Sequence, residues 1–136
     1  MKPINKAALK VLAKITEDMD KIGDHRKLDN APGAFMPLSV EVIGKHPERD
    51  LLVLSLAHYY EQNCDLMRDP EVVFLYQPGR GAWPVVFIQD NLGIYQESAV
   101  EFNSYTGTYK GYYRRQQADL VVFCSQWFEN IKQQQF

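Results

Sequence analysis

The sequence lacks several features that would assign it to a particular class of protein. Its 136 residues contain no apolar run near the ~20 residues of a membrane span, and the N-terminus has no apolar signal-peptide stretch. Only two cysteines are present, Cys64 and Cys124, and their unrelated contexts favour reduced thiols in a cytoplasmic protein. The net charge of −2 argues against nucleic-acid binding by bulk charge alone.

The length and apolar content are those of one folded unit. The chain is 46% hydrophobic, which is enough at this length for a core that needs no disulfide or metal. Residues 1–30 carry seven basic and five acidic side chains, a net charge of +2, which leaves −4 for residues 31–136. Because neither a repeat nor a linker-like stretch interrupts the sequence, we predict a single domain over residues 1–136.

Hydrophobic periodicity predicts a helix near each end of the chain. Apolar residues recur at three- and four-residue steps from Ile4 to Ile22, with lysines on the other face and Gly23 as a stop signal. The polar residues 24–33 end in Pro-Gly and are predicted to form a loop. A second apolar stripe runs from Leu120 to Ile131 and predicts the C-terminal helix.

Between the helices the pattern favours strands. Alternating or continuous apolar segments occupy residues 36–42, 51–60, 72–76, 83–89 and 94–102. The turn residues 77–82 and 90–93 separate the last three of these segments. The predicted fold is therefore α+β: an antiparallel meander sheet of four or five strands with the N- and C-terminal helices packed on it.

The densest polar cluster follows the second predicted strand, and its chemistry allows one enzymatic hypothesis. Carboxylates with one imidazole can bind Mg²⁺ or act as an acid–base pair, so a metal-assisted hydrolase is considered. Its candidate residues are His58, Glu61, Asp65 and Asp69. Because their spacing matches no known metal motif, we predict neither a metal nor another cofactor, and a purely structural turn is the alternative.

His58 has a separate interpretation. It follows Leu54 and Leu56 at a period of two, so its side chain should lie on the same side of the strand as those leucines. If that side is core, the sequence predicts a buried, neutral histidine with a hydrogen-bond partner.

Residues 104–117 favour a different class of partner. They contain four tyrosines and three cations, Lys110, Arg114 and Arg115, and no acidic residue. Aromatic faces beside cations can stack bases and contact phosphates, so a nucleic-acid-binding accessory protein is a further hypothesis. Packing of these tyrosines against the sheet is the structural alternative.

Three blocks carry a resemblance to a known family. They are residues 58–71, 87–97 and 119–130. The chain resembles a bacterial family of domains of unknown function, small proteins encoded on conjugative elements, plasmids and phage-like regions. The family's pattern has glycine where this chain has Cys64, in a turn. The resemblance implies a cytosolic accessory protein of mobile DNA, and it implies no catalytic residues.

Without a catalytic signature, the function we favour is a non-enzymatic module that binds an unknown protein partner. In the predicted meander, the connections 61–71 and 89–95 leave the same end of the sheet, and loops on a rigid sheet commonly carry binding groups. We therefore expect an acidic rim with aromatic neighbours, and two independent solvated turns are the alternative. The expected binding surface comprises Asp65, Asp69, Asp90, Asn91, Tyr59, Tyr60 and Tyr95.

Overall fold

The computed structural model describes residues 1–29, 36–90 and 95–134, without the side chains of residues 61, 62, 95 and 96. Its helices are α1 (Lys6–Ile15) and α2 (Arg114–Gln133). Its strands are β1 (His25–Leu28), β2 (Leu38–Lys45), β3 (Leu52–Gln62), β4 (Asp65–Gln77), β5 (Gly81–Gln89), β6 (Tyr95–Ser98), β7 (Val100–Phe102) and β8 (Tyr109–Tyr112). Neither helix is long and apolar enough to cross a membrane.

The strands form two antiparallel sheets. β1 to β6 pair in chain order as a six-stranded meander, and β7 pairs with β8 in a separate two-stranded sheet. The predicted α+β class, the antiparallel meander and the two helices are confirmed, but the predicted number of four or five strands was too low. β1 lies within residues 24–33, which were predicted to form a loop. Its sequence, His-Arg-Lys-Leu, contains only one apolar residue and therefore gave no strand pattern.

The predicted strand 94–102 is divided at Ala99. The N–H of Ala99 donates to the carbonyl of Val85 (2.8 Å), which continues the pairing with β5, whereas Val100 already pairs with Tyr112 of β8. The chain therefore passes from the large sheet to the small sheet at this one residue.

The first helix is shorter than predicted. It ends at Ile15, the Thr16 hydroxyl donates to the carbonyl of Leu12 (2.7 Å), and Asp18 has a positive φ of 65° that turns the chain. Met19 is nevertheless buried, so the apolar period continues past the end of the helix. The C-terminal helix is confirmed, although it begins earlier than the apolar stripe indicates.

The large sheet has two apolar faces. The helix face packs against α1 and α2: it includes Leu54 and Phe74, and the ring of Phe74 lies 5.8 Å, centroid to centroid, from that of Phe128 in α2. The opposite side, which we call the hairpin face, is covered by the β7–β8 hairpin. Its buried residues are Val53, Val73, Leu75, Val85, Val86 and Ile88, and they cluster with Ala99 and with Val100 of β7. The hairpin lies very close to β2, since a Cβ on Gly44 would meet backbone oxygens of residues 104 and 105 well within 3 Å.

Candidate interaction surfaces

The end of the β3–β4 hairpin is a tight turn. Gln62 pairs with Asp65, and the two loop residues, Asn63 and Cys64, both have positive φ (53° and 68°). These values fit a type I′ turn, which matches the twist of the flanking strands. The residues 61–71 are therefore mostly strand rather than the predicted connection, and the turn forms although Cys64 stands where the resembled pattern has glycine.

The start of β4 is joined to the end of β5 by an ion pair. Arg68 Nε and Nη2 donate to Asp90 Oδ2 and Oδ1 (2.7 and 3.0 Å), and the Arg68 N–H also donates to Oδ2 (3.0 Å). Asp90 is only 5% exposed, and these hydrogen bonds hold the pKa of its carboxyl below the usual range. The topology brings Asp90 to β4 as predicted, but its carboxylate is occupied by Arg68.

Further polar groups adjoin this ion pair on the hairpin face. The Ser55 hydroxyl donates to Glu71 Oε2, and Glu71 Oε1 lies 3.8 Å from Arg68 Nη1. Tyr59 pairs with Arg68 across the strands, and burial, followed by the negative charge of Glu71, raises the pKa of its phenol. This end of the sheet is a connected polar network in which the single guanidinium is already satisfied.

His58 lies on the helix face. It is 7% exposed, its Nδ1 is 3.2 Å from the carbonyl oxygen of Pro37, and its ring meets Trp127 edge-on with centroids 5.7 Å apart. Burial is the main cause of its lowered pKa, and the nearby charge of Asp69 opposes that shift. The surroundings are those expected for a buried core histidine.

The other candidates of the hydrolase hypothesis lie in different settings. Asp69 Oδ1 accepts from Gln89 Nε2 (2.8 Å), Asp65 is exposed beside the β3–β4 turn, and the side chain of Glu61 lies outside the described residues. Within the described ranges, no three His, Cys, Asp or Glu side chains are grouped so as to hold a metal ion. The hydrolase hypothesis therefore stays a prediction.

The predicted acidic rim is only partly described. Asn91 and the side chain of Tyr95 lie outside the described residues, and Tyr60 is partly exposed. Of the three acids, Asp65 is exposed, Asp69 is bound to a glutamine, and Asp90 is in the ion pair. The rim as a binding surface stays a prediction.

The tyrosines of residues 104–117 are exposed. Tyr105, Tyr109, Tyr112 and Tyr113 have exposed fractions of 63%, 49%, 40% and 56%, and Lys110, Arg114 and Arg115 are exposed among them. We call these seven residues the tyrosine surface. It is carried by the β7–β8 hairpin and the first turn of α2, and it is fastened to β2 because Lys45 N–H donates to the carbonyl of Tyr105 (2.8 Å).

A groove of about 230 Å³ separates β6 from α2, and the sequence did not predict it. Phe87 and Phe123 both line it, and their rings meet edge-on with centroids 5.2 Å apart. The remaining lining residues are Glu97, Ala99, Gln116, Asp119 and Leu120. The available signal was Phe123 itself, a large apolar residue beside the main stripe of α2. We call this feature the β6–α2 groove.

Comparison with known proteins gives a family and no further relatives. No curated protein and no solved structure matches the chain. One family model, described as a domain of unknown function (DUF6908), matches residues 6–136, which confirms the expected membership of a family without assigned function. The chain belongs to the DUF6908 family.

Proposed function

We propose that the chain is a non-enzymatic protein-interaction module, an accessory protein of bacterial mobile DNA as the sequence resemblance implies. The observation that carries this proposal is the tyrosine surface, in which four large aromatic side chains remain exposed within nine residues. Tyrosine and arginine are enriched at protein interfaces and among the residues that dominate binding energy. A cluster of large exposed apolar side chains commonly marks an interaction site.

The support beneath the tyrosine surface favours binding. Gly107 has a positive φ of 71° and packs tightly, since a Cβ there would lie 3.2 Å from the Val53 side chain. Asn103 Oδ1 accepts from the N–H of Tyr105 (2.9 Å) and fixes the loop further. A surface that is already ordered loses less conformational entropy when a partner binds.

The charge of the surface favours an acidic partner segment. Residues 103–118 contain three cations and no carboxylate, although the chain as a whole has a net charge of −2. Glu101 pairs with Gly111 in the same hairpin, so residues 100–118 carry a net charge of +2. This local positive charge favours an acidic partner, because complementary charge raises the association rate and the specificity of binding.

The same surface supports nucleic-acid binding as a second candidate function, because exposed aromatics alternate with Lys110, Arg114 and Arg115. Salt dependence separates the two candidates. If these three cations contact single-stranded phosphates, log K should fall against log salt with a slope of about −2. Fluorescence anisotropy with a labelled single-stranded oligonucleotide measures this slope, and our proposal expects no binding at physiological salt.

Site-specific crosslinking in cells of the native host tests the proposal directly. A photoreactive phenylalanine analogue replaces Tyr112, and the matched control places it at Leu66, which is 64% exposed on the β3–β4 hairpin. We expect a nuclease-resistant crosslink to an acidic protein segment at position 112 only. A crosslink to nucleic acid supports the second candidate, and equal protein crosslinking at both positions contradicts the proposal.

A further inference from the structure

We propose that the β6–α2 groove binds an extended peptide, which adds to β6 as a further strand and places one large apolar side chain in the groove, against the contacting rings of Phe87 and Phe123. This site shares no residue with the tyrosine surface, although Tyr113 N–H donates to the carbonyl of the groove residue Ala99 (2.7 Å), and it goes beyond the proposed function. It follows from the edge of the sheet, the size of the groove and the charge of its rim.

The edge of the sheet supplies the hydrogen bonds. β6 is the last strand of the six-stranded order, and no further strand of the described residues lies beyond it. Because Ala99 N–H donates to the carbonyl of Val85, the backbone N–H and C=O groups of Glu97, two residues earlier, also point toward β5. The backbone N–H and C=O groups of Gln96 and Ser98 therefore point outward. An outward row of this kind is the template that extended peptides use when they join a sheet.

The groove supplies the site for the peptide's apolar anchor. Its volume of about 230 Å³ is below the range of roughly 300–1,000 Å³ that holds drug-sized ligands, so it suits one side chain better than a whole small molecule. Phe123 is 37% exposed and lies against both Phe87 and Trp127, with centroid distances of 5.2 and 6.0 Å. An aromatic or leucine side chain that entered the groove would cover this ring and bury apolar area.

The rim supplies the charge preference. Glu97 and Asp119 line the groove, and its described lining residues include no cation. Alternate residues of an extended peptide point to the same side, so a lysine or arginine two positions from the apolar anchor reaches the exposed Asp119 carboxylate. A second copy of the chain is a poor occupant, because a two-fold β6–β6 contact sets each acidic rim against its own copy.

Selection from a phage-displayed random peptide library, with the full chain as bait, tests the inference. We expect a consensus of one large apolar residue and one basic residue at a spacing of two. Anisotropy with a labelled consensus peptide then compares two pairs of variants. Gln96→Pro removes an outward N–H without disturbing the pairing with β5, whereas Gln96→Ala keeps that N–H; Asp119→Lys reverses a rim charge, whereas Asp119→Asn only removes it.

Gln96→Pro should weaken peptide binding at least tenfold and Gln96→Ala less than twofold. Asp119→Lys should weaken it more than Asp119→Asn. Failure to enrich a consensus, or equal affinity of the two Gln96 variants with unchanged circular dichroism, overturns the inference. Loss of peptide binding in Tyr112→Ser also overturns it, because the peptide then occupies the tyrosine surface, whereas failure of the crosslinking at position 112 leaves this result unaffected.

Discussion

Replacement of Cys64 by glycine should stabilise the protein, although cysteine is the natural residue. Asn63 and Cys64 form a two-residue turn with both φ values positive, and only the second position lacks a residue suited to that conformation. A Cβ in the left-handed region costs about 1–2 kcal/mol, because it approaches the following carbonyl oxygen. The Cys64 thiol is exposed, so its removal loses no buried contact.

The net gain is smaller than the relieved strain. Glycine loses more backbone entropy on folding than other residues, roughly 0.5–1 kcal/mol relative to alanine. We therefore expect Cys64→Gly to raise the free energy of unfolding by about 0.5–1 kcal/mol, measured as a shift of the urea midpoint at constant m-value. For a chain of 136 residues this corresponds to a rise in Tm of about 2–4 °C.

Cys64→Ala is the matched control, because it removes the thiol and keeps the Cβ. Its stability should stay within about 0.5 kcal/mol of the natural protein, as for most exposed substitutions. If the glycine and alanine variants have equal midpoints, the turn does not carry the strain that its φ values imply, and the reasoning is refuted.

Three further changes test other parts of the structure. Asp90→Asn should lower the free energy of unfolding by about 2–4 kcal/mol, because it leaves the Arg68 guanidinium with only the Glu71 carboxylate, 3.8 Å away. Since the pKa of Asp90 is lowered on folding, this stabilisation exists above pH ~4 and is lost on acidification. Urea titrations should therefore show a weaker loss of stability at acid pH for the variant. Burial also lowers the pKa of His58, so protonation of this histidine opposes folding. The free energy of unfolding should fall between pH 7 and pH 5, and it should fall less in His58→Phe. Equal pH dependence of the two proteins would contradict the buried placement of His58. Gly44→Ala should lower the free energy of unfolding by about 3 kcal/mol and loosen the hairpin that carries Tyr105, which should weaken the near-ultraviolet circular dichroism. An unchanged stability would show that the hairpin does not approach Gly44 this closely.

The parts of the fold that sequence reasoning recovered are those in which at least one side of an element is buried. β2 alternates buried and exposed residues along its whole length, so its period of two is visible without the structure. β1 is a polar edge strand in which each residue is exposed or only partly buried, and no apolar period marks it. None of the first five residues of β4 is buried, and their pairing with β3 follows from the turn at Asn63 and Cys64 rather than from burial.

The site predictions could not identify which residues of different elements would contact each other. The meander placed Asp90 at the correct end of the sheet, but nothing in the local sequence indicated that Arg68, 22 residues earlier, would bind it. The β6–α2 groove likewise joins Phe87 and Phe123 from elements far apart in the chain. Periodicity indicates which side of an element is apolar, whereas the residues that this side contacts on other elements depend on tertiary packing.

During synthesis on the ribosome, the strands of the six-stranded sheet emerge before α2. Much of the helix face is covered by α2 in the folded protein. Until Trp127, Phe128 and Ile131 have emerged, the apolar side chains of β3 and β4 on that face have only α1 as a helical partner. Nascent chains that expose such a face aggregate readily. Chaperone holdases should therefore engage the nascent chain most strongly after β6 has emerged and release it once α2 has docked.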